Sequence, residues 1–160
     1  MVASLQNYDN YRKETIDDIE IGSSIDSEWL DASHRLSART DTHLKAIHVN
    51  ILKQISSPVI AIKAKYNNKI VGCGLGVIEN GLVGLYDIHV DEDYRKQGIG
   101  TKICTAILNA STKCNASHAY LQVHSLNDKA IHLYKKLGFQ LFYTYWFREK
   151  LQPGLSPIVD

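Results

Sequence analysis

A basic loop containing glycines is the segment of this sequence best suited to bind a charged ligand. It runs from Arg95 to Gly100 (RKQGIG) and lies between a predicted strand, Leu82 to Val90, and a helix predicted to start near Gly98. Backbone N–H groups at a helix N-terminus attract anions, and the helix dipole adds partial positive charge there. Glycine has no Cβ atom, so it lets a bulky ligand approach the backbone. The loop therefore predicts a binding site for a diphosphate.

Better-known phosphate-binding loops have stricter patterns that this segment does not match. A Walker loop requires GxxxxGK[ST], which is absent, and a dinucleotide fingerprint requires GxGxxG, whereas Ile103 stands at the third glycine position. Taken alone, the short RxxGxG pattern is equally typical of an ordinary turn between a strand and a helix. The assignment of a phosphate site therefore depends on the rest of the chain.

A second patterned segment follows the predicted strand Ala119 to Val123. In it, Asn127, Ala130, Tyr134 and the pair Gly138-Phe139 recur at helical spacing. Asn127 is suited to cap a helix and to offer its amide to a ligand. Ala130 and Tyr134 lie on one helical face because they are four residues apart. The simpler interpretation is that Tyr134 is a core aromatic residue and Asn127 only a cap.

Together, the stretches VDEDYRKQGIGTKI and NDKAIHLYKKLGF resemble, in order and spacing, two motifs of the GNAT superfamily of acyl-CoA-dependent N-acetyltransferases. The resemblance implies an α/β (α+β) fold: a single domain whose mixed, mostly antiparallel central sheet is splayed between two parallel strands, with helices on both faces. It also implies acetyl-CoA as co-substrate, no metal, and transfer of an acetyl group to a primary amine of a small molecule or peptide by direct attack in a ternary complex.

The resemblance also implies which residues contact the cofactor. Main-chain groups of Ile88 and Val90 would pair with the pantetheine arm, Asn127 would contact the same arm, and Tyr134 would lie near the thioester sulfur and protonate the leaving thiolate. One departure is Glu92, where many members carry proline, and it puts the rigidity of this turn in doubt. The predicted contacts to the pyrophosphate are Arg95, Lys96, Gln97, Gly98, Ile99, Gly100 and Thr101.

The reaction needs a neutral amine, so a proton acceptor is expected near the thioester. An alkyl ammonium is charged at pH 7, and deprotonating it costs roughly 4 kcal/mol. A carboxylate or an imidazole could accept that proton, directly or through water. We predict Glu79 and Asp87 as catalytic carboxylates, and His89 and His124 are further candidates. Each of these residues could equally be an ordinary surface or turn residue.

The remaining segments predict the elements that position these residues. Thr15 to Ile21 is expected to be a first strand, two helices follow Asp26 and Asp41, and Asn80-Gly81 is expected to close a hairpin. Glycines at positions 72, 74 and 76 predict a strand face approached closely by another element. A last strand is expected from Phe139 to Arg148. The predicted organisation is a flexible arm (1–14), an N-acetyltransferase domain (15–150) and a C-terminal tail (151–160).

Composition argues against several kinds of partner and binding site. Charge is nearly balanced, with 18 basic and 17 acidic residues among 160, which argues against a nucleic-acid partner. An odd number of cysteines without a CxxC pair argues against a disulfide framework or a zinc site. The seven histidines lack metal-binding spacing. With no signal peptide or apolar span evident, a cytoplasmic protein without a membrane partner is expected.

Two questions stay open at the level of sequence. A non-catalytic acyl-CoA-binding sensor or an interaction module is the alternative to an enzyme. A homodimer formed through the last strand is an arrangement that the resemblance allows. The resemblance implies that the amine would lie against the first two helices and the last strand. The mixture of aromatic and charged groups there suits a small amine, a peptide N-terminus or a lysine. These groups are Glu28, Trp29, His34, Arg35, His43, His48, Tyr143, Tyr145 and Trp146.

Overall fold

A six-stranded mixed sheet forms the centre of the computed structural model, which describes residues 1–5 and 19–146. The pairing of β5 with β6 is parallel, and every other neighbouring pair is antiparallel. This confirms the predicted fold class. The strands are β1 (Val2–Ser4), β2 (Ile19–Gly22), β3 (Val59–Tyr66), β4 (Lys69–Glu79), β5 (Leu82–Val90) and β6 (His118–Leu121), in the order β1-β6-β5-β4-β3-β2.

Helices cover both faces of this sheet. They are α1 (Ser27–Leu36), α2 (Thr42–Lys53), α3 (Ile99–Thr112) and α4 (Asp128–Lys136). Asp26 caps α1 by accepting a hydrogen bond from the backbone N–H of Trp29 at 2.7 Å, and Asp41 caps α2 in the same way, as their positions predict. Among the described residues, no helix combines the length and apolar character required to cross a bilayer.

The glycine stripe of β4 lets α3 lie unusually close to the sheet. A Cβ atom added at Gly74 would lie 2.5 Å from Ile103 Cγ2, and one at Gly76 would lie 2.6 Å from Ile107 Cγ2. Ile103 and Ile107 are fully buried. The isoleucine side chains of α3 therefore occupy the space that strand side chains would fill, which confirms the close approach predicted from the glycines.

We expect Gly74→Ala to destabilise the protein, because the new methyl group would overlap Ile103 and Ile88. Overpacking of this kind costs about 1–3 kcal/mol in the free energy of unfolding, measured by urea denaturation. Gly22→Ala is the matched control, since a Cβ at this strand glycine would make ordinary contact at 3.4 Å. Equal midpoints for the two variants would show that α3 can shift without cost.

Trp29 forms the core on the opposite face of the sheet, beneath α1. Its side chain is 0% exposed, and its Nε1–H is shared between the carbonyl oxygens of Ile62 (3.1 Å) and Gly74 (3.2 Å). The prediction that Trp29 contacts the acceptor amine is therefore wrong. Its indole ring packs in the core, and its Nε1–H group connects α1 to two strands of the sheet, β3 and β4.

The predicted flexible arm 1–14 is wrong for its first residues. Val2–Ser4 forms β1, which pairs antiparallel with β6, and the Met1 ammonium donates to the Leu121 carbonyl at 2.8 Å. Three residues carry too little pattern to be recognised as a strand, and their partner is distant in sequence. Residues 6–14, and the part of the predicted first strand before Ile19, lie outside the described residues.

The predicted last strand, 139–148, is also wrong over its described part. Only Gln140 bridges to a strand residue, Val2, and residues 141–146 have no regular structure. The free edge of β6 is already occupied by β1, which removes the pairing position beside it. Residues 147 and 148 and the tail 151–160 lie outside the described residues, and the homodimer based on this strand stays a prediction.

Candidate active site

The sheet opens between β5 and β6 beyond Leu85. Parallel pairing joins Leu82–Leu85 to His118–Leu121 and then stops, whereas β5 continues to Val90. The predicted strand 119–123 ends at Leu121 instead, so the chain leaves the sheet there. Ile88 and Val90 lie on the part of β5 that has no β6 partner. Their backbone can pair with an extended ligand, as the resemblance implies.

A β-bulge interrupts β5 at the point where the sheet opens. Cys73 of β4 pairs with His89 and Leu75 pairs with Tyr86, so two β5 residues oppose Gly74. Asp87 takes the left-handed conformation there, with φ +48°, which is uncommon for a residue other than glycine. Bulges re-aim side chains near functional sites. This one directs the Asp87 carboxylate toward α2, where it meets His48.

The basic loop forms the uncapped beginning of α3. Gly98 is the N-cap residue with φ +79°, and no side chain bonds to the free backbone N–H groups of the first turn. A Cβ at Gly98 would meet no atom within 4 Å, so the space beside the loop is open. The helix N-terminus therefore presents free donors to that space, an arrangement that fits a diphosphate.

Gly100 serves packing rather than ligand approach. Its Cβ would lie 3.0 Å from Leu133 Cδ1 of α4 and 3.8 Å from Val90 Cγ2. Ile99 is also buried, and its side chain reaches Gly72 of β4. Of these loop residues, Ile99 and Gly100 can therefore offer only backbone N–H groups, while their side-chain positions join α3 to the sheet and to α4.

Charged side chains surround the open space at the loop. Lys96 and Gln97 are exposed, and Lys96 has a positive φ of +63°. Arg95 donates to Glu92 Oε1 at 2.8 Å and to the Val90 carbonyl at 3.2 Å. Glu92, in the short 3₁₀ helix Glu92–Tyr94, thus orients Arg95. A bound diphosphate would compete with this exposed carboxylate for the guanidinium.

Tyr134 lies on α4 and packs against the core beside α3. Its side chain is 9% exposed, and its ring meets Phe139 edge-on with centroids 5.9 Å apart. Burial, together with the nearby Cys104 thiol, raises the pKa of Tyr134 above its ordinary value. The phenol is therefore protonated at neutral pH and can act as a donor.

Asn127 caps α4, as predicted. Its Oδ1 accepts from the backbone N–H of Ala130 at 3.1 Å, which leaves the two amide N–H donors for another partner. The side chain is exposed at the amino end of the helix that carries Tyr134. Capping and ligand contact are thus compatible at this position.

Asp87 is the candidate carboxylate at the open edge of β5. Its Oδ2 lies 2.9 Å from His48 Nε2, and its Oδ1 lies 3.5 Å from His89 Nε2. Burial alone would raise the pKa of this carboxyl, but the His89 and His48 imidazoles outweigh burial and hold the pKa below its ordinary value. Asp87 is therefore an ionised carboxylate with little solvent around it.

His89 lies beside Asp87, whereas Glu79 and His124 lie elsewhere or have local roles. Glu79 pairs with Leu82 at the hairpin end of β4 and accepts from Ser57 Oγ at 2.8 Å. Strands rise about 3.3 Å per residue, so Leu82 lies roughly 16 Å from Asp87 along β5. His124 is exposed, and its Nδ1 accepts from the Leu126 N–H at 3.3 Å. The geometry gives no support to Glu79 as the acceptor of the amine proton.

Two features of this region were not identified in the sequence. Tyr86 and Tyr120 share a hydrogen bond of 2.8 Å between their hydroxyls, above Gly84, where a Cβ would collide with both rings. His34 on α1 bonds to His48 on α2, and His48 bonds to Asp87. Both features join residues distant in sequence, and no spacing signal connects them.

The chain is similar in sequence to known acetyltransferases. The family model of the acetyltransferase (GNAT) family matches residues 23–139. An N-alpha-acetyltransferase of Sulfurisphaera tokodaii is 48% identical over 54 residues, which are 33% of this chain and 32% of that protein. The chain thus spans about a third of the length of that curated relative.

Solved structures share the fold at low identity. The ribosomal-protein-S18-alanine N-acetyltransferase from Escherichia coli superimposes with a TM-score of 0.63 at 22% identity, covering 77% of this chain and 78% of that one. The aminoglycoside N-acetyltransferase AAC(6')-Iy, in complex with CoA, gives a TM-score of 0.65 at 16% identity, covering 83% and 95%. These structures have the same arrangement of sheet and helices.

Proposed function

Because the chain belongs to the acetyltransferase (GNAT) family, we propose that it transfers an acetyl group from acetyl-CoA to a primary amine of a small molecule or peptide. The observation that carries the proposal is the open edge of β5. The carboxyl end of β5 leads into the uncapped N-terminus of α3 at Gly98, and in this proposal the buried phenol of Tyr134 lies near the other end of the open edge. One end can hold a diphosphate and the other a reacting thioester.

In this proposal the loop binds the pyrophosphate through backbone N–H groups from Gly98 to Thr101, with Arg95, Lys96 and Gln97 around them. Ile88 and Val90 pair with the pantetheine arm in the place of a missing strand partner. Asn127 contributes its free amide donors from the start of α4. These residues lie on β5, on the loop that follows it, in the first turn of α3, or at the start of α4.

The chemistry proceeds by direct attack of the neutral amine on the thioester carbonyl. The C–N bond forms as the C–S bond breaks, the amine proton passes to Asp87, and Tyr134 protonates the departing thiolate. A backbone N–H at the bulge near Ile88 stabilises the developing oxyanion, since the bulge leaves β5 residues without regular pairing to β4. Holding both reactants side by side lowers the barrier further, because the attack then takes place within one complex.

The substrates of similar proteins suggest which class of amine to test first. Proteins similar to this chain are named for acetylating ribosomal protein alanine, aminoglycosides and thialysine. A peptide amino terminus, an aminosugar and an aminoalkyl amino acid are therefore the first acceptors to test. We place the reaction in the reducing cytoplasm, where the three cysteines, all free in the structure, would remain thiols.

The test is calorimetric titration of acetyl-CoA into the purified protein, followed by an assay of thiol release with a panel of these amines. One-site binding with turnover of at least one amine is expected. Binding without turnover on a broad panel would identify an acyl-CoA sensor instead. An absence of binding and of thermal stabilisation at high acetyl-CoA concentration would contradict the proposed function.

A further inference from the structure

A chain of three hydrogen-bonded side chains runs from α1 through α2 to the bulge in β5. His34 Nε2 lies 3.0 Å from His48 Nδ1, and His48 Nε2 lies 2.9 Å from Asp87 Oδ2. His34 is 8% exposed, His48 is 9% exposed, and the Asp87 side chain is 17% exposed. Three polar groups are thus withdrawn from water at the proposed reaction site, where each needs its hydrogen-bond partner.

His48 is the buried residue of α2, an otherwise half-buried or exposed helix. Three of its apolar residues, Leu44, Ile47 and Ile51, are 41%, 42% and 57% exposed. Leu52 is half-buried and packs on the core beneath α1. A helix that docks by the hydrophobic effect buries its apolar residues and exposes its polar ones. Here the buried side chain is an imidazole aimed at Asp87, so this polar contact, together with the packing of Leu52, holds α2 against the site.

The direction of the hydrogen bonds follows from the carboxylate. An ionised carboxylate can only accept, so His48 must donate to Asp87 through Nε2–H. When His48 is neutral, its Nδ1 can only accept, so His34 must donate through its own Nε2–H. Burial, and then the nearby His48, lower the pKa of His34, which favours the neutral ring. With a neutral His48, every bond of the chain therefore points toward Asp87.

The direction of these hydrogen bonds shows whether the chain can transfer a proton away from Asp87 or only hold its carboxylate in place. A relay carrying the amine proton outward would need an unprotonated nitrogen facing Asp87, and the nitrogen there carries hydrogen. The chain therefore holds the carboxylate in place and keeps it charged. The arrangement is similar to the orienting partner of a catalytic base, with the carboxylate as the group that is oriented.

We propose that His48 and His34 are positioning residues that hold the Asp87 carboxylate, charged and oriented, at the open edge of β5 for an amine acceptor. This inference rests on the proposed function for the role of Asp87, while the chain itself can be tested without turnover. Other titratable or charged groups face the chain from each neighbouring element: Asp31 and Arg35 of α1, Arg39 between the helices, Lys45 of α2, Cys73 of β4 and His89 of β5.

The test compares His48→Gln with His48→Leu. Glutamine retains a donor for Asp87 and an acceptor for His34, whereas leucine retains only bulk. We expect His48→Leu to lower kcat at least about tenfold with little change in KM for acetyl-CoA, and His48→Gln to retain most of the wild-type rate. Asn50→Leu, at an exposed polar residue of the same helix, should match the wild type. Equal losses in the leucine and glutamine variants would overturn the proposal.

The pH dependence of kcat/KM distinguishes positioning of Asp87 from simple packing by His48, because a loss of packing alone would not shift its acid limb. Losing the Nε2–H donor removes a contact that favours the charged form of Asp87, so burial then raises its pKa. The acid limb of kcat/KM should move to higher pH by about one unit in His48→Leu and stay in place in His48→Gln. An unmoved limb in the leucine variant would contradict positioning.

Nuclear magnetic resonance separates this proposal from the proposed function. Nitrogen-15 spectra of the imidazoles should show His48 and His34 protonated at Nε2 near neutral pH, and carbon-13 titration should follow the Asp87 carboxyl in wild type, His48→Gln and His48→Leu. A His48 ring with hydrogen only on Nδ1 would overturn the chain. If no amine is acetylated but these spectra are as expected, the proposed function fails and the chain stands.

Discussion

Tyr134→Phe should lower kcat by about a hundredfold or more while leaving the Kd for acetyl-CoA nearly unchanged. The variant removes one hydroxyl and keeps the ring, which packs edge-on against Phe139 at 5.9 Å. In the proposed function, the cofactor is bound by the α3 loop and the β5 edge, which the change does not touch. The loss should therefore appear in the chemical step, measured by steady-state kinetics and by calorimetry.

The expected loss of kcat in Tyr134→Phe comes from the protonation of the leaving thiolate. A CoA thiol has a pKa near that of cysteine, about 8.5, so the thiolate departs poorly without a donor. Burial raises the pKa of Tyr134, so the phenol keeps its proton through the pH range of the assay. Burial also raises the pKa of the CoA thiol, which offsets the raised pKa of the phenol and keeps proton transfer to the thiolate feasible.

The pH dependence follows from the sign of that shift. A donor works below its pKa, and a raised pKa extends the working range upward. The wild-type rate should therefore climb as the acceptor amine loses its proton and should show no decline near pH 9 from loss of the Tyr134 proton. An alkaline decline near pH 9 that is absent in Tyr134→Phe would contradict the raised pKa of Tyr134, although it would still identify this phenol as the donor.

Tyr66→Phe is the matched control for the hydroxyl. Tyr66 ends β3, which β4 separates from β5 in the sheet. It is 57% exposed, and its ring is tilted against that of Tyr94. Its kcat should equal that of the wild type. If both tyrosine variants retained full activity, Tyr134 would be the core aromatic residue that its spacing also allows, and the thiolate would leave without this donor.

Local signals in the sequence account for most of the fold. The loop before α3, the cap at Asn127, the hairpin at Asn80-Gly81 and the glycine stripe of β4 each depend on residues close together in the chain. Their physical causes are equally local: a left-handed φ, an N-cap acceptor, or a missing Cβ. These elements were predicted with bounds close to the observed ones.

Non-local pairing accounts for the errors. β1 exists because β6 offers a free edge more than a hundred residues away, as its pairing of Val2 with Tyr120 shows. That same pairing fills the position that the predicted last strand would need. Glu79 and Asp87 looked equivalent as carboxylates near one hairpin, and only the register of β4 and β5 separates them. The His34–His48–Asp87 chain likewise joins three elements that no spacing rule connects.

Gly98→Glu should abolish measurable binding of acetyl-CoA, with the Kd raised at least about a hundredfold. The change places a carboxylate in the open space beside the first turn of α3, where the proposed pyrophosphate would lie. Like charges repel strongly at short range, and the side chain also covers the free N–H donors. Gly98→Ala should have a smaller effect, because it adds only a methyl group to that space.

Backbone strain has to be separated from the loss of the binding site. Gly98 has φ +79°, and any other residue there costs about 1–2 kcal/mol of stability. Gly81→Glu is the matched control: Gly81 has φ +75°, lies in the hairpin at the other end of β5, and its Cβ would approach only Asn115 O at 3.9 Å. Both variants should lose similar thermal stability, and only Gly98→Glu should lose the calorimetric signal.

Each pattern of results assigns the loop a different role. Loss of binding in Gly98→Glu alone would place the diphosphate at the N-terminus of α3. Equal loss in both variants would mean that strain, transmitted along β5, closes the opening between β5 and β6. Unchanged binding in Gly98→Glu would contradict the phosphate site directly, since a carboxylate cannot share that space with a diphosphate at so small a distance from the helix N-terminus.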